Sequence, residues 1–227
     1  MKQKRTKPTE KIKIIDETIS AWDMLLITLQ ILYKYLHYWV RLNLRCFISS
    51  IPIVTIPTAN AMLYSGIHST MLSQGILETK EEVHVDSRVR SLLWRATLLA
   101  VIQLVFFAVI VVSIYFWISR PELVLNFISI ISFYALVLLW LAAGYINPFL
   151  VFNPGISIKQ CLQKAFVLIM KNPFKSLLYA VVNTLLLVFG LALLGPILLV
   201  IPVARALIFY MSYMYMTGNL KRVNFSM

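Results

Sequence analysis

Three groupings of residues in this chain could carry chemistry. Glu81, Glu82, His84 and Asp86 bring four potential metal ligands into one short stretch. Their spacing fits no standard metal site, and Glu78, Lys80, Arg88 and Arg90 crowd around them, which reads as a solvated loop. The second grouping is Thr58 and Asn60, close behind Pro52 and Pro57. A proline frees a backbone carbonyl, and irregular backbone at membrane depth is tolerated where it is buried or lines a cavity. The third is Arg205, a lone charge in Ile201-Pro202-Val203-Ala204-Arg205-Ala206. At mid-membrane an arginine costs at least about 2.5–3.5 kcal/mol, so it is usually paired or functional.

Two readings of Arg205 stand side by side. In one it pairs with Asp23, Asn126 or Asn183, or with backbone freed by Pro202. In the other it sits near a helix end and snorkels to the interface, with Tyr210, Tyr213 and Tyr215 as an aromatic belt. Gln103, Asn126, Asn183 and Thr184 read mainly as hydrogen bonds between helices. The residues expected to hold a substrate or fix helix packing are therefore Arg205, Asn60, Thr58, Pro52, Pro57 and Asn183. The chain has no HExxH, no glycine-rich phosphate loop and no GxSxG, and no acid–base pair lies inside an apolar run. No catalytic residue, cofactor or metal is expected, and the chain reads as something other than an enzyme. Cys46 and Cys161 lie far apart next to apolar stretches and read as reduced.

The elements that must position these residues are membrane elements. Of 227 residues 60% are hydrophobic and 13% charged, and mean hydropathy is +0.81. A soluble domain is nearer 45–50% apolar and about 25% charged, and disorder needs the opposite composition. An all-α, polytopic helical membrane protein remains. The net charge of +12 fits cytoplasmic segments facing anionic lipid headgroups rather than a nucleic acid.

Residues 1–14 form a basic tail, and no cleavable signal follows it. Residues 15–40 read as an interfacial helix, with an apolar stripe through Trp22, Leu26, Leu29 and Tyr33 opposite Asp23, Gln30, Lys34 and His37. About five spans follow, at 42–66, 96–118, 123–147, 175–193 and 196–216, the first kinked or re-entrant at Pro52–Pro57. Residues 67–94 form a polar loop with a short surface helix. The turn at 119–122 and Asn147-Pro148 bound the third span. Residues 156–171 form an amphipathic surface helix, and Gly190, Gly195 and Pro196 mark the turn of the last hairpin. Residues 218–227 form a second tail.

Basic residues collect in 67–95, in 156–175 and at Lys221 and Arg222, which places those segments and the C-terminus in the cytosol. The basic N-terminal tail asks for the same side, which a single crossing by 42–66 forbids. Either that segment is re-entrant, or residues 18–40 also cross, or the tail is translocated.

Residues 39–65, with Trp39 to Leu44 running into Ser49-Ser50-Ile51-Pro52 and Pro57-Thr58-Ala59-Asn60, resemble the opening of the YesL-like family of bacterial integral membrane proteins. Lys164-Ala165 and Lys171-Asn172-Pro173 resemble that family's stretch ahead of its last hairpin. The resemblance implies a small helical protein of the bacterial plasma membrane, with a link to carbohydrate uptake and no assigned residues. The expected role is an accessory or scaffold subunit that binds another membrane protein within the lipid bilayer. The alternative is a small transporter or substrate-binding component with its site near the Pro52–Pro57 break and Arg205.

Overall fold

A computed structural model describes residues 11–14, 19–49, 56–79, 89–119, 123–153, 155–192 and 200–225. The chain is an all-α membrane protein. The described residues hold eight helices: α1 (Ala21–Lys34), α2 (Leu36–Ser49), α3 (Ile56–Ser73), α4 (Val89–Ile118), α5 (Leu123–Phe152), α6 (Ile158–Lys171), α7 (Pro173–Ala192) and α8 (Ile201–Met216). Three short strands join them, β1 (Lys11–Ile14), β2 (Leu77–Thr79) and β3 (Leu220–Phe225).

Helix α8 is the centre. It is apolar on every side, and from Ile201 to Met214 only Pro202 and Arg205 are not buried. A helix of that kind must be enclosed, and α1, α2, α3, α5 and α7 all pack on it. Its few polar groups are answered by neighbours. Tyr210 and His68 Nδ1 meet at 2.7 Å between α8 and α3. The Ser212 and Tyr145 hydroxyls meet at 2.9 Å between α8 and α5. The Tyr213 hydroxyl accepts a hydrogen bond from Asn153 Nδ2 at 3.2 Å.

Three helices are long and apolar enough to cross a membrane: Trp94–Ile118, Phe127–Phe152 and Pro173–Gly190. They correspond to the expected spans 96–118, 123–147 and 175–193. The distal part of the α4–α5 hairpin stands clear of the bundle, whereas Leu92, Ala96 and Leu99 of α4 and Ala142, Tyr145 and Leu150 of α5 join the core. Leu104, Phe106, Val109, Val112, Phe127, Ile131 and Tyr134 are exposed along it. Ser113 Oγ and Ser132 Oγ pair across it at 3.0 Å.

The first third of the chain divides differently from the expectation. The helix expected over 15–40 and the span expected over 42–66 become α1, α2 and α3, with a break at Tyr35. No proline or glycine causes that break. The Ile31 carbonyl keeps its helical partner, the Tyr35 N–H at 3.1 Å, and also accepts from the fully buried Trp39 indole at 3.3 Å, which ties the start of α2 to the end of α1. The stripe of Trp22, Leu26, Leu29 and Tyr33 is exposed, while Met24, Leu25, Ile27, Thr28 and Ile31 form a third face against the core. Pro57 occupies the first turn of α3, where a missing N–H is harmless. Pro52 lies outside the described residues.

Two further expectations are corrected. Helix α5 does not stop at Asn147-Pro148 but runs through Pro148 to Phe152. An internal proline costs about 3 kcal/mol. Phe149, Leu150, Val151 and Phe152 beyond it are all buried, at about 1.5–3 kcal/mol per large side chain where water is the alternative. Burial outweighs the lost bond, and Asn153 Nδ2 also donates to the Phe149 carbonyl at 3.2 Å. The polar stretch 67–94 is likewise shorter than expected, because α3 extends to Ser73 and α4 starts at Val89.

Helices α3 and α8 end alike. Gly75 (φ 62°) and Gly218 (φ 71°) take left-handed backbone. The following N–H groups reach back, Ile76 to the Met71 carbonyl at 2.9 Å and Asn219 to the Met214 carbonyl at 3.0 Å. Each Schellman turn delivers the chain into a strand. The result is an antiparallel sheet in the order β1-β3-β2, with Lys11 opposite Phe225 and Glu78 opposite Arg222. Both segments expected as tails therefore contribute strands.

The sheet also constrains topology. Segments paired in one small sheet lie on one side of a membrane, so the chain between them crosses an even number of times. The N-terminal strand therefore lies on the same side as the C-terminal one, and a translocated N-terminal tail is incompatible with a cytosolic C-terminus. After β2, helices α4, α5 and α7 make three long apolar runs, and α8 leads from them to β3. Its 16 residues span about 24 Å, and other helices rather than lipid surround it.

Amphipathic α6 forms as expected, with a capping box between Ser157 and Gln160. Cys161, Ala165, Leu168 and Ile169 are buried, and Lys159, Gln163 and Lys164 are exposed. Neither Cys46 nor Cys161 is in a disulfide among the described residues.

Two predictions follow from this packing. Tyr210→Phe strands the buried His68 nitrogen and should lower stability by about 1–3 kcal/mol, read as a lower unfolding temperature in detergent; an unchanged temperature refutes the role of the pair. Burial pushes the Cys161 thiol up to about 11 from 9.0. Unfolding releases its proton between those pH values, so native stability falls as pH rises past 9.0. At pH 8 Cys161 should resist a water-soluble maleimide in the folded protein and react once unfolded, with mass spectrometry locating the adduct.

Candidate functional site

A cavity of about 380 Å³ opens where α3, α5, α7 and α8 meet. Helix α3 contributes Asn60, Leu63 and Tyr64, and α5 contributes Trp140, Ala143, Gly144 and Asn147. Helix α7 adds Ala180, Asn183, Thr184 and Leu187, and α8 adds Ile201, Pro202, Arg205, Ala206 and Phe209. Of these, Asn60, Trp140, Ala143 and Pro202 are exposed and form the rim. Trp140 stands halfway along the Phe127–Phe152 run.

Arg205 and Asn183 form the polar centre. Arg205 Nε donates to Asn183 Oδ1 at 2.7 Å. Asn183 is 2% exposed, and its Nδ2 has no hydrogen-bond partner. One amide oxygen thus holds the guanidinium while the amide nitrogen of the same side chain is left over. Of the partners expected for Arg205, Asn183 is the one found. Asp23 instead serves the start of α1, where its N–H donates to Ser20 Oγ at 3.1 Å. The side chain of Asn126 lies outside the described residues.

The aromatic-belt arrangement does not form. Tyr210 and Tyr213 are buried, and Tyr215 is tied between the segment just before α1 and helix α7, donating to the Ile19 carbonyl and accepting from Lys175 Nζ at 3.2 Å.

The structure gathers Arg205, Asn183 and Asn60 around one space. Thr58 is buried on α3 and Pro57 lies in that helix's first turn, neither of them lining the cavity. Pro52 is outside the described residues, as is the Glu81, Glu82, His84 and Asp86 cluster. Sequence reasoning passed over Tyr64, Trp140 and Asn147 as lining groups. The available signal was Asn147-Pro148 itself. Pro148 has no N–H for the carbonyl of Gly144, and Gly144 and Asn147 both face the cavity.

Close packing shapes the floor. A Cβ on Gly144 would stand 2.1 Å from the Phe209 ring, and Phe209 in turn meets Tyr145 edge to face, with ring centroids 5.3 Å apart. Comparison with known proteins found no matching family model, no matching curated protein and no matching solved structure.

Gly144→Ala should therefore displace Phe209 and destabilise the protein by about 1–3 kcal/mol. Adding Phe209→Leu should recover most of that loss, as a double-mutant cycle on unfolding temperature would show. Strict additivity would mean the two residues do not touch.

Proposed function

We propose that this chain is a multi-pass protein of a bacterial plasma membrane that holds a small ligand between α3, α5, α7 and α8, as a transporter or substrate-binding component. The observation that carries this is Arg205, half-buried beside a cavity and fixed by Asn183. A charge at membrane depth is costly, and a purely structural arginine would have no need of an open space next to it. Concave, mostly apolar sites with a few converging polar groups are how proteins hold small molecules. The YesL-like resemblance supports the bacterial plasma membrane and a connection to carbohydrate uptake. The basic residues of 67–95 and 156–175, with Lys221 and Arg222, support a cytosolic C-terminus and contact with anionic lipid headgroups.

A second reading is a non-enzymatic accessory or scaffold subunit of a membrane complex. It is favoured by the α4–α5 hairpin, whose apolar surface stands out from the bundle and could pack on another membrane protein.

One variant separates the two. Ala143 is exposed at the rim of the cavity, so Ala143→Phe fills the space with little effect on the core. The protein and this variant are purified from their native membrane in mild detergent, and bound small molecules and proteins are identified by mass spectrometry. The ligand reading expects a small molecule held by the parent and lost from Ala143→Phe. Identical small-molecule profiles, with a stoichiometric protein partner on both, would replace it with the accessory reading.

A further inference from the structure

We infer that the cavity takes an oxyanion: a carboxylate or phosphate group held between Arg205 and the free amide nitrogen of Asn183. This rests on the ligand-binding reading above and names the chemistry of its ligand.

Charge is the first argument. The last acid in the chain is Glu122. Helices α5, α7 and α8 lie wholly beyond it, and α3 (Ile56–Ser73) also has no Asp or Glu. None of the four helices that build the cavity can supply an anion to Arg205. An uncompensated cation at this depth is expensive, and a bound anion removes that cost.

Hydrogen bonding is the second, independent argument. Asn183 is 2% exposed and its Nδ2 has no partner. A buried, unsatisfied N–H costs about 1–3 kcal/mol, and such a group is a donor awaiting an acceptor. The guanidinium beside it is donor-only, with Nε already committed to Asn183 Oδ1 at 2.7 Å. Two adjacent donor groups around one space match the several lone pairs of an oxyanion. A neutral hydroxyl ligand would satisfy the donors but leave the charge unanswered, and a cation would satisfy neither.

The same head group could belong to an anion from water or to an amphiphile from the bilayer. The rim at Trp140, halfway along α5, and the apolar wall of Leu187, Ile201 and Phe209 would accommodate a chain behind the head. The test separates these sources.

Purified full-length protein in a non-ionic detergent is melted in the presence of decanoate, decanol, decyltrimethylammonium or inorganic phosphate. The expected result is a higher unfolding temperature with decanoate and none with decanol or decyltrimethylammonium. A shift with phosphate as large as with decanoate assigns an aqueous anion, and a much smaller one assigns an amphiphile. Asn183→Asp keeps the acceptor for Arg205 but replaces the free donor with a negative charge. It should melt normally without ligand and lose the decanoate effect, with apparent affinity at least about tenfold weaker. Arg205→Gln removes the charge and keeps an amide N–H towards Asn183; it should lose the effect as well. An unchanged decanoate response in either folded variant overturns the inference. So does an equal response to decanol or decyltrimethylammonium. If Ala143→Phe abolishes that equal response, the cavity still binds ligands and only the oxyanion assignment fails. If no probe shifts the parent protein, the inference fails together with the ligand-binding reading.

Discussion

Between Ile201 and Met214 nearly every side chain of α8 is shut away from its surroundings, and a helix apolar on all sides keeps its place only when others enclose it. That enclosure organises the molecule. Helices α3 and α5 reach α8 through buried hydrogen bonds from His68 and Tyr145. Helix α7 comes close enough that a Cβ on Gly190 would lie 1.7 Å from Ile201 Cδ1. Helix α1 is tied in from the far side, where the Tyr179 hydroxyl of α7 donates to the Ala21 carbonyl at 3.1 Å. Arg205 is the single charge on this enclosed helix, and the cavity is the place where enclosure is incomplete.

The polar groups of the cavity gain their meaning from that apolar setting. In water an arginine beside an asparagine would be unremarked. At low dielectric an unbalanced charge and an unmade hydrogen bond each carry a free-energy cost comparable to a large share of a domain's net stability. Nothing in α3, α5, α7 or α8 removes the charge. The site is therefore defined as much by the acids those helices lack as by the residues they carry.

Much of this was legible from the residues. Long apolar runs announce α4, α5 and α7, and the amphipathic pattern of residues 156–171 announces α6. The cost of a buried arginine singled out Arg205, and Asn183 was among its expected partners. What could not be read depends on contacts distant in sequence. The turn between α1 and α2 is braced by the Trp39 indole, which bonds the Ile31 carbonyl eight residues back. The path of α5 through Pro148 depends on burial of the four residues after it. Tyr64, Trp140 and Asn147 come together only because α3 and α5 meet at α8. The three strands are short, and each has its partner most of the chain away, which no local pattern records.

The position of β3 between β1 and β2 has a consequence for how the protein is made. Both earlier strands pair with β3, and β3 is synthesised after all the other described elements. Until then β1 and β2 have no neighbour, although all eight helices are already synthesised. The sheet is consequently a late, long-range closure, of the high contact order that forms slowly. It fastens β1 only after the helices between the two strands have been synthesised.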